Sequence, residues 1–265
     1  MSGSKKMYHV GLGVGDLPGF VLLPGDPGRV DLVLGFLDRG RVLCFKREFK
    51  SGIGFYKGVP VGVLSTGIGG PSTAIAVEEL ARIGAHTLIR IGTTGTIQKN
   101  IKIGDLIIST AAVRMEGTSK QYVIPEYPAV ASYEVVVALI AAAESLGVRY
   151  HVGITASTDS FYVGQQRPGY RNYLPSFARN IIEDLRMANV LNFEMEAATL
   201  FTLASIFGLR AGAVSLVLAN RVTDEFELVP QDDLIKVGLE AVKILKEMDD
   251  SKEGRYWYPK EIIKK

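Results

Sequence analysis

Short, largely uncharged runs alternate with helical patterns along nearly the whole chain, and several of the runs close in a turn rich in glycine. Phe20-Val-Leu-Leu23 ends in Pro24-Gly25-Asp26-Pro27, and Val59 to Leu64 leads on to Gly67-Ile68-Gly69-Gly70. Thr87-Leu-Ile-Arg-Ile91 ends in Gly92-Thr93-Thr94-Gly95. Brief apolar runs between turn signals are the mark of buried strands, and such strands separated by helices belong to a sheet covered on both faces. The pattern predicts an α/β protein with a central mixed, twisted β-sheet flanked by helices, a three-layer α/β/α arrangement. Helices are expected over about Gly28 to Leu37, Pro71 to Ile83, Tyr133 to Leu146, Glu196 to Phe207 and Asp232 to Met248. Further strands are expected at Val42 to Arg47, Ile53 to Tyr56, Leu106 to Thr110, His151 to Thr155 and Arg210 to Ala219, with Lys57-Gly58 as a turn. No linker, charge run or repeat divides the chain. Residues 1–265 therefore read as a single domain, with 249–265 a charged tail of unreadable role.

Composition removes several classes. The 30 basic and 28 acidic side chains leave a net charge of +2, without the strongly basic face of a nucleic-acid binder. A lone cysteine, Cys44, can form neither an intrachain disulfide nor a zinc cluster, which suits a reducing compartment. Met1 to Lys6 is polar and no signal-peptide core follows, so a cytoplasmic location is expected. The uncharged stretch Gly58 to Val77 carries five glycines and two prolines, too much punctuation for a membrane-spanning helix. No membrane and no nucleic-acid partner is expected.

The three glycine turns lie beyond strand ends, where open α/β sheets place ligands. Each taken alone is also explained as a tight strand-to-helix turn. Gly67-x-Gly69-x-x-Ser72 nearly matches the dinucleotide fingerprint, but that motif wants an acidic residue about 20 positions on, and the next strand offers Arg90 instead. A phosphate-binding Gly-Lys loop is absent too. Arginine suits inorganic phosphate, a small dianion whose oxygens match guanidinium forks. Arg29 follows the first turn, Arg47 ends a strand, and Arg90 precedes the third turn with Thr93 beside it.

In the second half, Phe161-Tyr-Val-Gly-Gln165-Gln166-Arg167 joins an aromatic face to an amide and a guanidinium two residues apart. In an extended segment these two would point the same way, toward the edge of a planar ring such as uracil. An exposed polar loop is the plainer account. Asn192-Phe-Glu194-Met195-Glu196 is expected to open the buried helix. Helix polarity explains carboxylates there, but a buried Glu196 needs a partner, and ribose hydroxyls would supply one. Asn220-Arg221 closes a further strand.

The combination of PGDPGRV, KREF, STGIGGPSTAIAVEEL, RIGTTG, TASTDSFYVGQQR, NFEMEAATL and ANR resembles the nucleoside phosphorylase family, on its uridine-cleaving side, from about Tyr8 to Met248. The resemblance implies a phosphorylase/hydrolase-like fold and reversible phosphorolysis of uridine to uracil and ribose 1-phosphate. It implies catalytic roles for Arg29, Arg90, Glu196, Gln165 and Arg167. The phosphate would be held by Gly25, Arg29, Arg47, Arg90 and Thr93, and the ribose by His9, Thr93, Glu194, Met195 and Glu196. The base would meet Thr94, Gly95, Phe161, Gln165, Arg167 and Arg221. Phosphate is a co-substrate; no cofactor and no metal is required, although a monovalent cation such as K+ is implied at Glu48, Ile68 and Ser72. A homohexamer built as a trimer of dimers, with sites shared across the dimer interface, is implied as well. Purine-specific relatives carry an Asp where this chain has Asn220, and an amide cannot serve as an acid near neutral pH. Val163 in place of a commoner Pro, Gln166 within the base loop and the longer tail depart from the family pattern. A purine phosphorylase, a nucleosidase of the same fold and a non-catalytic nucleoside-binding protein are the alternatives.

Overall fold

In a computed structural model, the described residues are 6–259; the polar start of the chain that bears on signal peptides and the end of the tail lie outside them, apart from Lys6. The elements run β1 (Phe20–Leu23), α1 (Pro27–Leu34), β2 (Asp38–Lys46), β3 (Phe49–Tyr56), β4 (Val59–Leu64), α2 (Gly70–Arg82), β5 (Thr87–Thr96) and β6 (Leu106–Met115). Then follow β7 (Ala129–Val130), α3 (Tyr133–Leu146), β8 (Tyr150–Thr158), α4 (Ile181–Met187), β9 (Val190–Glu194), α5 (Ala197–Phe207), β10 (Arg210–Asn220), β11 (Glu225–Phe226) and α6 (Asp232–Ser251). Local chemistry sets several of these bounds. Asp26 caps α1 by accepting from Gly28 N at 2.9 Å, and Pro27 supplies a pre-set first-turn φ. Left-handed Gly147 and Gly208 end α3 and α5.

The strands form one mixed sheet. Helices α1, α3 and α6 bury apolar side chains on one face, with Val33, Leu139 and Leu245 among them, and α2 and α5 cover the other with Val77, Leu80 and Phe201. This is the expected layered α/β architecture. The sheet also closes partly on itself. β5 pairs β10, β10 pairs β6, β6 pairs β8, β8 pairs β9, and β9 returns to β5, making a ring of five strands.

The ring leaves a fork. Along one side β5 keeps β10 from Thr87 to Thr96. On its other side Thr87–Arg90 pair with β1, whereas Gly95–Thr96 pair with β9. Between them, Ile91 to Thr94 have no strand neighbour on that side. Ligand sites gather where neighbouring strands part in this way.

Three local expectations are corrected. Gly92 to Gly95 is not a turn, because β5 runs straight through it; Gly92 makes room for the Arg90 guanidinium, whose Nη2 would lie 3.0 Å from an added Cβ. Asn192 to Glu194 ends a strand rather than starting a helix, and α5 begins at Ala197. The Gln165 segment is a short 3-10 turn with Gln166 left-handed at φ 56°, not extended chain.

The described part of the tail is docked. Trp257 packs on the α3/α6 side of the core, its N–H reaches Glu134, and its carbonyl accepts from Tyr133 Oη at 2.8 Å. Arg210 bridges Glu134 at 3.1 Å and Asp249 at 2.7 Å, and Lys252 adds a contact to Glu134 at 3.3 Å.

Candidate active site

A cavity of about 970 Å³ opens at the fork. Its walls come from the ends of β1 and β10, the middle of β5, the β9–α5 joint, the start of α2 and the 161–167 segment. All the residues to which the resemblance assigns phosphate, ribose, base or cation roles line it except Arg47 and His9.

At one end stand two buried arginines. Arg29, on the first turn of α1, donates from Nη1 to the Ile91 carbonyl at 3.2 Å and from Nε to the Gln231 amide oxygen. Burial, then the neighbouring Arg90 charge, draw Arg29 down to about 10, so it stays cationic near neutrality. Arg90, at the last β5 position paired with β1, donates from Nε to Glu194 at 3.1 Å and bridges Glu196 through Nη2. Its Nη1 is buried with no hydrogen-bond partner among the described residues. An unpaired buried donor costs about 1–3 kcal/mol, which an arriving acceptor would recover. Gly25 faces this Nη1 and Thr93 lines the same wall.

The middle of the cavity carries Glu194, Met195 and Glu196. Glu194 is spent internally: it accepts from Ser157 Oγ, Arg90 Nε, Glu196 N at 2.8 Å and Ala197 N at 2.9 Å. It caps α5 and holds Arg90 beside the ribose position expected for this cluster. Glu196 accepts from Gly69 N at 2.6 Å and from Arg90. Gly69 has φ 92° and ψ 171°, a region open in practice to glycine alone, and so aims its N–H at the carboxylate. Burial pushes the Glu196 carboxyl up and Glu194 adds to that rise, against the pull of Arg90.

At the far end, Arg167 Nη1 donates to Gln165 Oε1 at 2.5 Å and to the Phe161 carbonyl at 2.9 Å, and its guanidinium lies 4.1 Å over the Phe161 ring. Gln165 Nε2 reaches Thr158 Oγ1 at 3.2 Å, and Arg221 Nη1 holds the Gln165 carbonyl at 3.0 Å. The amide and guanidinium thus meet as expected, although through the tight turn. Thr94 and Gly95 floor this end. The Thr94 hydroxyl donates to the Phe193 carbonyl at 2.6 Å and closes the β5–β9 seam.

Arg47 is exposed at a left-handed position (φ 56°) in the turn between β2 and β3. His9 packs its ring nitrogen on Glu79 of α2 at 2.7 Å. Neither belongs to the cavity this chain forms. Glu48, Ile68 and Ser72 lie together on its rim, with Ser72 Oγ donating to the Ile68 carbonyl at 3.1 Å. One carboxylate, one hydroxyl and one carbonyl make a hard, singly charged oxygen set that fits a monovalent cation.

The residues the sequence did not point to are Gln231, which steadies Arg29, Ser157, which holds Glu194, and the Asp224–Phe226 wall. A turn signal was present for the wall, in Asn220-Arg-Val-Thr-Asp224; for Gln231, 202 residues from Arg29, none was.

The model of the phosphorylase superfamily matches residues 20–248. The chain is 63% identical over 255 residues to the uridine phosphorylase of Thermococcus kodakarensis, covering 95% of this chain and 92% of that protein. It is 45% identical to the uridine phosphorylase of Escherichia coli, covering 92% and 96%. Against the guanosine phosphorylase of Halorubrum lacusprofundi the identity is 40%, over 86% and 89%. With the family model spanning the fork, both arginines and the β9–α5 joint, the chain belongs to the phosphorylase superfamily.

Proposed function

We propose that the protein is a uridine phosphorylase, a pentosyltransferase that cleaves uridine reversibly with phosphate to uracil and ribose 1-phosphate. One observation carries the reading. The unpartnered Arg90 Nη1 with Arg29 at one end, and the Gln165–Arg167 pair at the other, bracket Glu196 in a single cavity. A phosphate between Arg29, Arg90, Thr93 and Gly25 would take both guanidinium forks. Arg90 would then turn from Glu196 to the phosphate, leaving that carboxylate to accept from ribose hydroxyls beside Met195.

In the transfer, a phosphate oxygen bonds to C1′ as the C1′–N1 bond breaks, and the bond's electron pair leaves with the pyrimidine. Arg167 and Gln165 Nε2 donate to the developing negative charge on the base, while the phosphate faces the positive sugar. The departing base then takes its proton from water. Phe161 offers the ring a face to stack on. No step calls on a cofactor. K+ held by Glu48, the Ile68 carbonyl and Ser72 would order the rim that Gly67 to Ser72 form around Glu196.

Arg47 and His9, which lie outside this chain's cavity, would in a shared site serve that of a second copy. A homohexamer, as a trimer of dimers, accommodates that exchange. The single Cys44 fits a reducing, cytoplasmic setting.

Uridine, inosine and guanosine, each with and without phosphate, test the reading by following free base and ribose 1-phosphate. Uracil and ribose 1-phosphate in equal amounts, only with phosphate, are expected. Base release without phosphate would mark a nucleosidase, and turnover of the purines alone would refute the base assignment.

A further inference from the structure

Asn220, the last residue of β10, is 2% exposed and lines the base end of the cavity, yet its side chain faces the backbone rather than a ligand. Nδ2 donates to the carbonyls of Gln98 at 3.1 Å and Ile101 at 3.0 Å. Oδ1 accepts from the amides of Val222 at 3.0 Å and Thr223 at 3.2 Å. Two donors and two acceptors fill the full capacity of a primary amide. The partners are backbone groups of fixed polarity, so only one orientation of the amide fits.

These bonds clamp three segments together: the end of β10, the 98–101 turn after β5, and the turn into β11. The clamp holds Arg221, the next residue. Arg221 N donates to the Thr96 carbonyl at 2.9 Å, its stem lies over Gly95, and its guanidinium holds the Gln165 carbonyl. Resting on the uridine reading, we propose that Asn220 is a positioning residue that sets the base end of the site through Arg221 and Gln165. Replacing it by aspartate would not create a proton donor for a purine, because a carboxyl proton there would be held against the Gln98 or Ile101 carbonyl.

Asn220→Asp keeps the shape and both acceptor positions while losing both donors. It is expected to raise KM for uridine about tenfold at pH 8, an effect of the size of lost buried hydrogen bonds, with KM for phosphate within about twofold. Facing carbonyl oxygens raises a carboxyl pKa, and the protonated acid regains one donor, so much of the loss should reverse at pH 5.5. Inosine should remain uncleaved. An unchanged uridine KM, equal rises in both KM values, or inosine phosphorolysis by the variant would overturn the proposal. If Asn220→Asp does not fold, Asn220→Ser decides: its uridine KM should rise, and in an Arg221→Ala background the same change should add less than about twofold, since the two residues act as one unit. Additive penalties, or a wild-type KM for Asn220→Ser, would overturn it. The wild-type enzyme run alongside separates the two claims. If it cleaved only purine nucleosides the uridine reading would fall, and these variants scored on that nucleoside would still decide the role of Asn220.

Discussion

Gly69, Glu194 and Arg90 divide the labour of the central cluster, and each can be probed singly. Gly69→Ala forces a side chain into a backbone region that costs about 1–3 kcal/mol and withdraws the N–H from Glu196. Its thermal midpoint should fall by several degrees, and kcat/KM for uridine should fall with it. Glu194→Gln is the subtler change. The remaining oxygen still accepts from Ser157 and Ala197 N, but an NH2 replaces the charged oxygen that accepts from Arg90 Nε and Glu196 N. KM for phosphate should rise more than KM for uridine, by about ten- to a hundredfold, the range for a hydrogen bond to a charged group. Initial-rate measurements varying each substrate separately check this split. Equal changes in both would return Glu194 to the ribose.

At the level of elements, the fork in the sheet makes the site. β1 ends at Leu23 opposite Arg90, β9 joins at Gly95, and the unpaired stretch between them presents Thr93 and Thr94 to the cavity beside Arg90. The Thr94 hydroxyl ties the two sides of the seam, so Thr94→Val, nearly equal in shape, should cost about 1–2 kcal/mol in denaturant unfolding. Much of this scale was legible beforehand. The apolar runs placed β1 and β4 at their observed limits, α3 likewise, and the turn Lys57-Gly58 was plain. What escaped had physical reasons. β9 runs into α5 with only Met195 and Glu196 between, so no glycine or proline marks the change. The glycines of Gly92-Thr-Thr-Gly95 looked like a turn but serve close approach within a strand, which local sequence cannot distinguish. Arg29, Arg90, Gln165 and Arg167 could be singled out from their chemistry and line one cavity, whereas Gln231 and Ser157, which steady the first two directly or through Glu194, were hidden by long-range placement.

Across the whole molecule, the tail and the neighbouring copy enter. Burial alone would push Glu134 and Asp249 up, but Arg210, Lys252 and the Trp257 amide outweigh it and hold both carboxyls below their ordinary range. Stability from such depressed acids is full above their unfolded values, about 4, and is lost as pH falls through the lower folded values. The tail should therefore stay docked at pH 5 and release below about pH 4. Trp257 is the only tryptophan, so its emission should shift red on release. An unshifted spectrum at pH 3 would count against the clasp. The proposed shared site makes a second prediction: Arg47→Ala and Arg29→Ala chains, each nearly inactive alone, should recover up to about a quarter of wild-type activity when mixed and reassembled, since half of the mixed dimers' sites would be intact. No recovery would leave Arg47 outside any site.

The Arg90–Glu196 bridge has an electrical consequence. The cavity carries its own internal counter-ion, so a visiting anion must win Arg90 from a carboxylate rather than from water. Chloride, with one diffuse charge and no fork geometry, competes poorly for it, and the pair lies too deep for bulk salt to screen. In the proposed reaction, selectivity for a tetrahedral oxyanion would begin as an exchange equilibrium inside the protein.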